Sequence, residues 1–88
     1  MANTTILRLP LVLKERGLSR SSHYKDISKG LFTSPIRIGL RAVGWLSSEV
    51  TAINSARIFG NTDDEIRTLV IRLEAARKIV ALVGVNHE

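Results

Sequence analysis

Apolar positions along the chain change their spacing twice, and the changes divide it into elements. In "LPLVLKERG" Leu9, Val12 and Leu13 recur at helical spacing, Pro10 suits a first turn where its missing N–H costs nothing, and Gly17 supplies a stop. Leu18 alone separates that stop from Ser19, a favourable N-cap, so a second helix is predicted over Arg20 to Lys29, closed by Gly30. Two short helices joined by so tight a turn are a helix-turn-helix candidate. The second helix has little to bury. Tyr24 and Ile27, three apart, are expected on its inner side, with Leu31 and Phe32 sealing its end. The rest of it is polar and largely basic, so most of its surface must face solvent or a partner.

After Pro35 the period becomes two. "PIRIG" alternates as a strand, "GLRA" offers a turn and "AVGW" reads as a returning strand, with Ile36, Ile38, Val43 and Trp45 expected to face inward. Ser47 or Ser48 is then expected to cap a third helix, with Glu49 in its first turn where the dipole favours a negative charge. Val50, Ile53 and Arg57 define its faces, and Gly60 and Asn61 break it. Thr62 and Glu65 fit a capping box for a fourth helix running to about Val83. Its stripe comprises Ile66, Leu69, Val70, Leu73, Ala76 and Val80, widened by Ile71, Ile79 and Leu82. The expected class is mainly α with a short β-hairpin. A winged helix-turn-helix is expected over residues 1–60, and an additional amphipathic helix over 61–88 that packs on it, joins two copies, or both.

Charge sharpens this picture. Residues 1–60 carry nine basic groups against three acidic ones, or +6, whereas residues 61–88 carry four against five, or −1. A basic body suggests a face for a polyanion. There is no cysteine, which removes disulfides and thiolate metal sites. No apolar run approaches the ~20 residues of a membrane helix, and the polar "MANTT" start is unlike a secretory signal, so a cytoplasmic protein without a membrane partner is expected.

Enzymatic readings find little support in the pattern. Ser19, His23 and Asp26 fall four and three apart, but a triad needs a pocket and an oxyanion hole that nothing here suggests. "GLRAVG" lacks the Lys-Ser/Thr of a phosphate loop, and His23 and His87 have no companion at ligand spacing. No catalysis, metal or cofactor is expected. Duplex DNA fits better. A helix of ten residues is about 15 Å long and enters a major groove ~12 Å wide. Ser19, Ser21 and Ser22 can donate to phosphates at its N-terminus, and Arg20 can read guanine. Lys25 and Lys29 add charge along it, and Arg37 and Arg41 on the hairpin can reach the neighbouring backbone or the minor groove. With two Phe, one Tyr and one Trp the chain is short of stacking platforms for single-stranded RNA.

At this point a resemblance becomes visible. "ILRLPLVLKERGLSRSSHYKDISKGLF" followed by "PIRIGLRAVGWLSSEV" resembles the AlpA family of prophage regulatory proteins, small relatives of excisionases with a MerR-like winged helix. The most specific pieces are "GLSRSS.Y", "P.R.G.RAVGW" and "SEV". The resemblance implies a DNA-contacting role for Ser19, Arg20, Ser21, Ser22 and Tyr24, a wing built on Arg37, Gly39 and Arg41, and a core position for Trp45. It also implies action on DNA of integrated mobile elements in a bacterial cytoplasm, either switching on an integrase gene or directing excision, with an integrase or recombinase as a further partner. Family members usually carry an apolar residue where His23 stands, often a tryptophan near Ile53, and tend to stop soon after the third helix. A different class of function also fits the residues: a protein-interaction adaptor that uses the last helix, with DNA binding weak or non-specific.

Overall fold

The central strand of this protein is flanked on both sides by strands of only two residues. The computed structural model describes residues 4–85, and side chains as far as Ile79. In chain order the elements are β1 (Ile6–Leu7), α1 (Leu9–Arg16), α2 (Arg20–Ser28), β2 (Ile36–Arg37), β3 (Val43–Leu46), α3 (Ser47–Phe59) and α4 (Asp63–Val85). The sheet is antiparallel in the order β1-β3-β2. Ile6 faces Leu46 and Leu7 faces Trp45, while Ile36 faces Gly44 and Arg37 faces Val43. The described residues are thus mainly helical with a small sheet, in the order of a winged-helix-like fold, as the change of period predicts. β1 is not predicted, because two residues carry no period. Nor does alternation continue through Ile38. That residue lies beyond β2 and is 39% exposed, and its N–H donates to Ala42 O (2.9 Å) to close the hairpin tip.

Gly44 explains why the returning strand needs a glycine. A Cβ there would stand 2.5 Å from Ile6 Cγ2 and 2.9 Å from Leu7 O, so β1 can lie against β3 only over a bare backbone. Gly44→Ala is expected to destabilise the fold by about 1–3 kcal/mol in urea titration. A loss under ~0.5 kcal/mol, the range of ordinary surface changes, would mean that β1 lifts away at little cost.

Local chemistry sets the helix ends. Gly17 adopts the left-handed conformation (φ 68°) that stops α1, and its N–H donates to Leu13 O (2.8 Å). Ser19 caps α2 by accepting from Ser22 N–H (3.1 Å). In α4 the capping box is closed in both directions: Thr62 N–H donates to Glu65 Oε1 (2.8 Å), and Glu65 N–H donates to Thr62 Oγ1 (3.2 Å). α3 differs from expectation. Its N-cap is Leu46, which makes no side-chain bond. Ser47 Oγ instead accepts from Thr5 N–H (2.9 Å), and Thr4 Oγ1 accepts from Ser48 N–H (3.2 Å). The segment leading into β1 supplies the cap, and the serines hold that segment in return.

The core joins Val12, Phe32, Trp45, Val50 and Ile53 to Ile66 and Val70 of α4. Trp45 is fully buried, and its indole N–H donates to Thr33 O (2.8 Å). Leu69 and Leu73 pack against the same cluster, so the first half of α4 folds back on its own chain. Ile71 and Ile79 of that helix face outward. The stripe positions Val80 and Leu82 lie outside the described side chains, and His87 outside the described residues.

Polar anchors fix α4 further. Glu49, 2% exposed, receives Arg77 Nε and Nη2 at 2.8 Å each. Arg77 Nη2 also donates to Ser34 O (2.6 Å), Ser34 N–H donates to Glu74 Oε2 (2.8 Å), and Arg67 Nε donates to Lys29 O (2.8 Å). The segment between α2 and β2 is therefore held at both ends by α4. The bond to Glu49 raises the pKa of Arg77 above its ordinary value, against an opposing effect of burial.

Candidate nucleic-acid interface

The expected contact residues are all on the surface. Ser19, Arg20, Ser21, Ser22, Lys25 and Lys29 are exposed along α2 and its caps, and Arg37, Gly39 and Arg41 are exposed on the hairpin. Ser19 and Ser22 are already engaged with each other. The Ser19 hydroxyl caps Ser22 N–H and donates to Ser22 Oγ (3.1 Å), which makes it a poorer phosphate donor than Ser21. Gly39 has an unstrained backbone, and a Cβ there would meet only Ala42 Cβ at 3.4 Å. Leu40, which the sequence pattern does not single out, stands 90% exposed at the tip between Gly39 and Arg41.

The inner side of α2 needs a correction. The residue turned fully inward is His23; Tyr24 is 36% exposed and sits edge-on to Trp45 at 6.4 Å between ring centroids. His23 is one position earlier and four before Ile27, so it shares Ile27's side of the helix as well as Tyr24 does. Hydropathy favours Tyr24 for the inside, but a partner in α1 reverses that preference. Arg16, whose side chain is 4% exposed, places Nη1 3.0 Å from His23 Nδ1 and Nη2 2.7 Å from Asp26 Oδ2. Its guanidinium lies 4.0 Å over the Phe32 ring. Because Arg16 can only donate, His23 Nδ1 accepts, and the neutral ring carries its proton on Nε2. The rings of Tyr24, Phe32 and Trp45 surround that imidazole edge-on at 4.8–5.2 Å.

Burial, reinforced by the charge of Arg16 and only partly offset by Asp26, lowers the pKa of His23 to about 4. Burial likewise lowers that of Arg16, with Asp26 opposing. His23 Nδ1 is thus bound to Arg16, and the Ser19 hydroxyl to Ser22, so Ser19, His23 and Asp26 do not form a nucleophile and base. Together Arg16, His23 and Asp26 lock α2 onto α1 and leave its outer face free.

The electrostatics of that face follow from how the acidic residues are used. Among the described residues Asp26 holds Arg16, Glu49 holds Arg77, Asp63 holds Arg57 and Asp64 holds Arg67. Glu65 and Glu74 accept from backbone N–H groups. Among the described residues from Arg8 to Arg41, Arg16 is the cation that forms an ion pair; Arg8, Lys14, Arg20, Lys25, Lys29, Arg37 and Arg41 are exposed, with no described carboxylate within salt-bridge distance. No helix among the described residues is long and apolar enough to cross a membrane.

A protein of Enterobacteria phage P4, described as uncharacterized protein ORF88, is 48% identical over 54 residues, which is 61% of this chain and 61% of that protein. The similarity therefore spans a little under two thirds of each. No solved structure matches. The sequence model of the family described as Prophage CP4-57 regulatory protein (AlpA) matches residues 5–58, which run from the residue before β1 through nearly all of α3. The chain belongs to the AlpA family of prophage regulatory proteins.

Proposed function

We propose that this protein binds double-stranded DNA in a sequence-specific manner, with α2 in the major groove and the β2–β3 hairpin as a wing, and that it regulates a mobile element. The observation that carries the reading is the division of charge. Among the described residues every acidic side chain except Glu15 is engaged by a cation or a backbone N–H of the fold, Asp63 and Asp64 at its surface, while the cations of α2 and the hairpin have no such partner there. Phosphate attraction then comes from Lys25, Lys29, Arg37 and Arg41, and Ser21 and Ser22 can donate at the helix N-terminus. Arg20, in the first turn of α2, reads a base edge. The rigid Arg16–His23–Asp26 lock holds that helix without using its outer face. Both tasks of the family reading, switching on an integrase gene and directing excision with a recombinase, begin with this complex.

Selection of bound duplexes from a random pool at physiological salt should recover a short motif. Should paired half-sites emerge, the face of α4 carrying Ile71, Ala75 and Ile79 is the one left to join two copies, since Leu69 and Leu73 are used within the chain. Arg20→Ala is expected to weaken binding to the selected duplex by ~1–3 kcal/mol and to relax the motif at one position. Arg41→Ala should weaken binding to every sequence alike and flatten the salt slope by about one. Equal losses on selected and random duplex for Arg20→Ala would remove its base-reading role. A protein that recovers no motif, and whose binding vanishes as salt rises, would instead be read as an adaptor working through α4.

A further inference from the structure

We propose that Leu40 is an apolar wedge that enters the minor groove between two base pairs and bends the duplex; this deepens, and rests on, the DNA-binding reading above. The tip of a two-stranded hairpin in water is ordinarily polar, since an apolar side chain held there gains nothing from its own fold. Here the tip residue is a leucine, 90% exposed, and Ile38 behind it is 39% exposed. The loop is closed rather than splayed: Ile38 N–H donates to Ala42 O (2.9 Å), and the paired strands begin at once with Arg37 facing Val43. Gly39, with no side chain, keeps one flank of the tip narrow.

Arg37 and Arg41 flank Leu40, both exposed and, among the described residues, without a carboxylate partner. A narrow tip with a cation on each side and an aliphatic point between them suits a groove ~6 Å wide, whose phosphate rims attract the arginines while the base stack receives the leucine. Ile58 and Phe59 are nearly as exposed, but the arginine beside them, Arg57, is tied to Asp63 (3.1 Å), so that patch has no free charge directed at phosphate. Charge and shape converge at the hairpin tip. Wedges of this kind kink DNA by roughly 20–90°, most readily at flexible pyrimidine–purine steps.

The test uses the full chain and a mixed-sequence duplex of about 30 base pairs with TA steps, end-labelled for energy transfer and carrying a fluorescent adenine analogue at those steps, at low salt. Wild type should shorten the end-to-end distance and raise the analogue's fluorescence by unstacking it. Leu40→Ala should still bind, about tenfold more weakly, and lose both signals. Leu40→Lys separates wedge from charge: it should bind at least as well as Leu40→Ala yet neither bend nor unstack. Thermal melting of both variants should match wild type, because so exposed a side chain supports no core. Wild-type binding without bending, or variants that bend as wild type does, would overturn the wedge alone. Absence of any duplex binding by wild type would overturn the wedge and the DNA-binding reading together.

Discussion

Arg77→Ala should destabilise the protein by about 3–5 kcal/mol, a large share of the 5–15 kcal/mol typical of a whole domain. The size follows from what the substitution leaves behind. Glu49 is 2% exposed, and Arg77 meets both of its oxygens at 2.8 Å. Removing the guanidinium strands a carboxylate away from water with no countercharge, and it also frees Ser34 O from its 2.6 Å bond. Urea titration gives the loss directly, as a fall in midpoint at unchanged slope. The double substitution Glu49→Leu with Arg77→Met should recover most of it, since replacing a buried pair by apolar residues of similar volume is often neutral. A loss below ~1 kcal/mol for Arg77→Ala would show that Glu49 reaches water or another donor once α4 lets go.

His23 gives the second large effect, in its dependence on pH. Its folded pKa of about 4 lies below the ordinary 6.5, so the unfolded chain takes up the proton first as the solution is acidified. Stability from this group is complete above pH ~6.5 and falls through the window down to pH ~4. Below that it changes no further on this account, after a total of ~3 kcal/mol. The groups facing the ring are Arg16 from α1, which opposes protonation, and Asp26 on its own helix, which favours it. His23→Leu should flatten the stability profile across that window, with acid unfolding then left to the carboxylates. Melting temperatures at pH 7, 6, 5 and 4 for the two proteins would decide it. Parallel curves would mean that His23 takes up its proton as readily in the fold as in the unfolded chain, so that its burial costs the charged form nothing.

How much of this was legible in the sequence depends on the range of each interaction. The Ser19 cap, the Gly17 stop and the Thr62–Glu65 box depend on residues within five positions, and all three are where local chemistry puts them. The hairpin is legible because its period is. Longer-range relations are not. Glu49 is correctly read as an acid in a first turn, but nothing in the string joins it to Arg77, 28 positions on. The identity of the inner residue of α2 was decided by Arg16, seven positions back, which turns a polar imidazole into a better core residue than the neighbouring phenol. Thr4 as a cap for α3 required knowing β1, which two residues cannot announce. The exposed candidates on α2 and the wing were legible because exposure is what a sparse apolar stripe leaves over. Leu40 was placed in the turn, but nothing in the string says that an apolar residue there stays outside the core.

The anchoring of α4 also has a consequence for how the protein is made. A chain leaves the ribosome from its N-terminus, and segments fold as they emerge. By the time residue 58 is out, the whole stretch matched by the family has been synthesised, yet Glu49 still has no countercharge and the core still lacks Ile66 and Val70. Both ends of the linker from α2 to the hairpin wait for Arg67, Glu74 and Arg77. The nascent protein therefore carries its basic surface before it can hold that surface in shape. Only when Arg77 has emerged can the helix close over the rest, and the order of synthesis delays the finished fold until nearly all of the described chain exists.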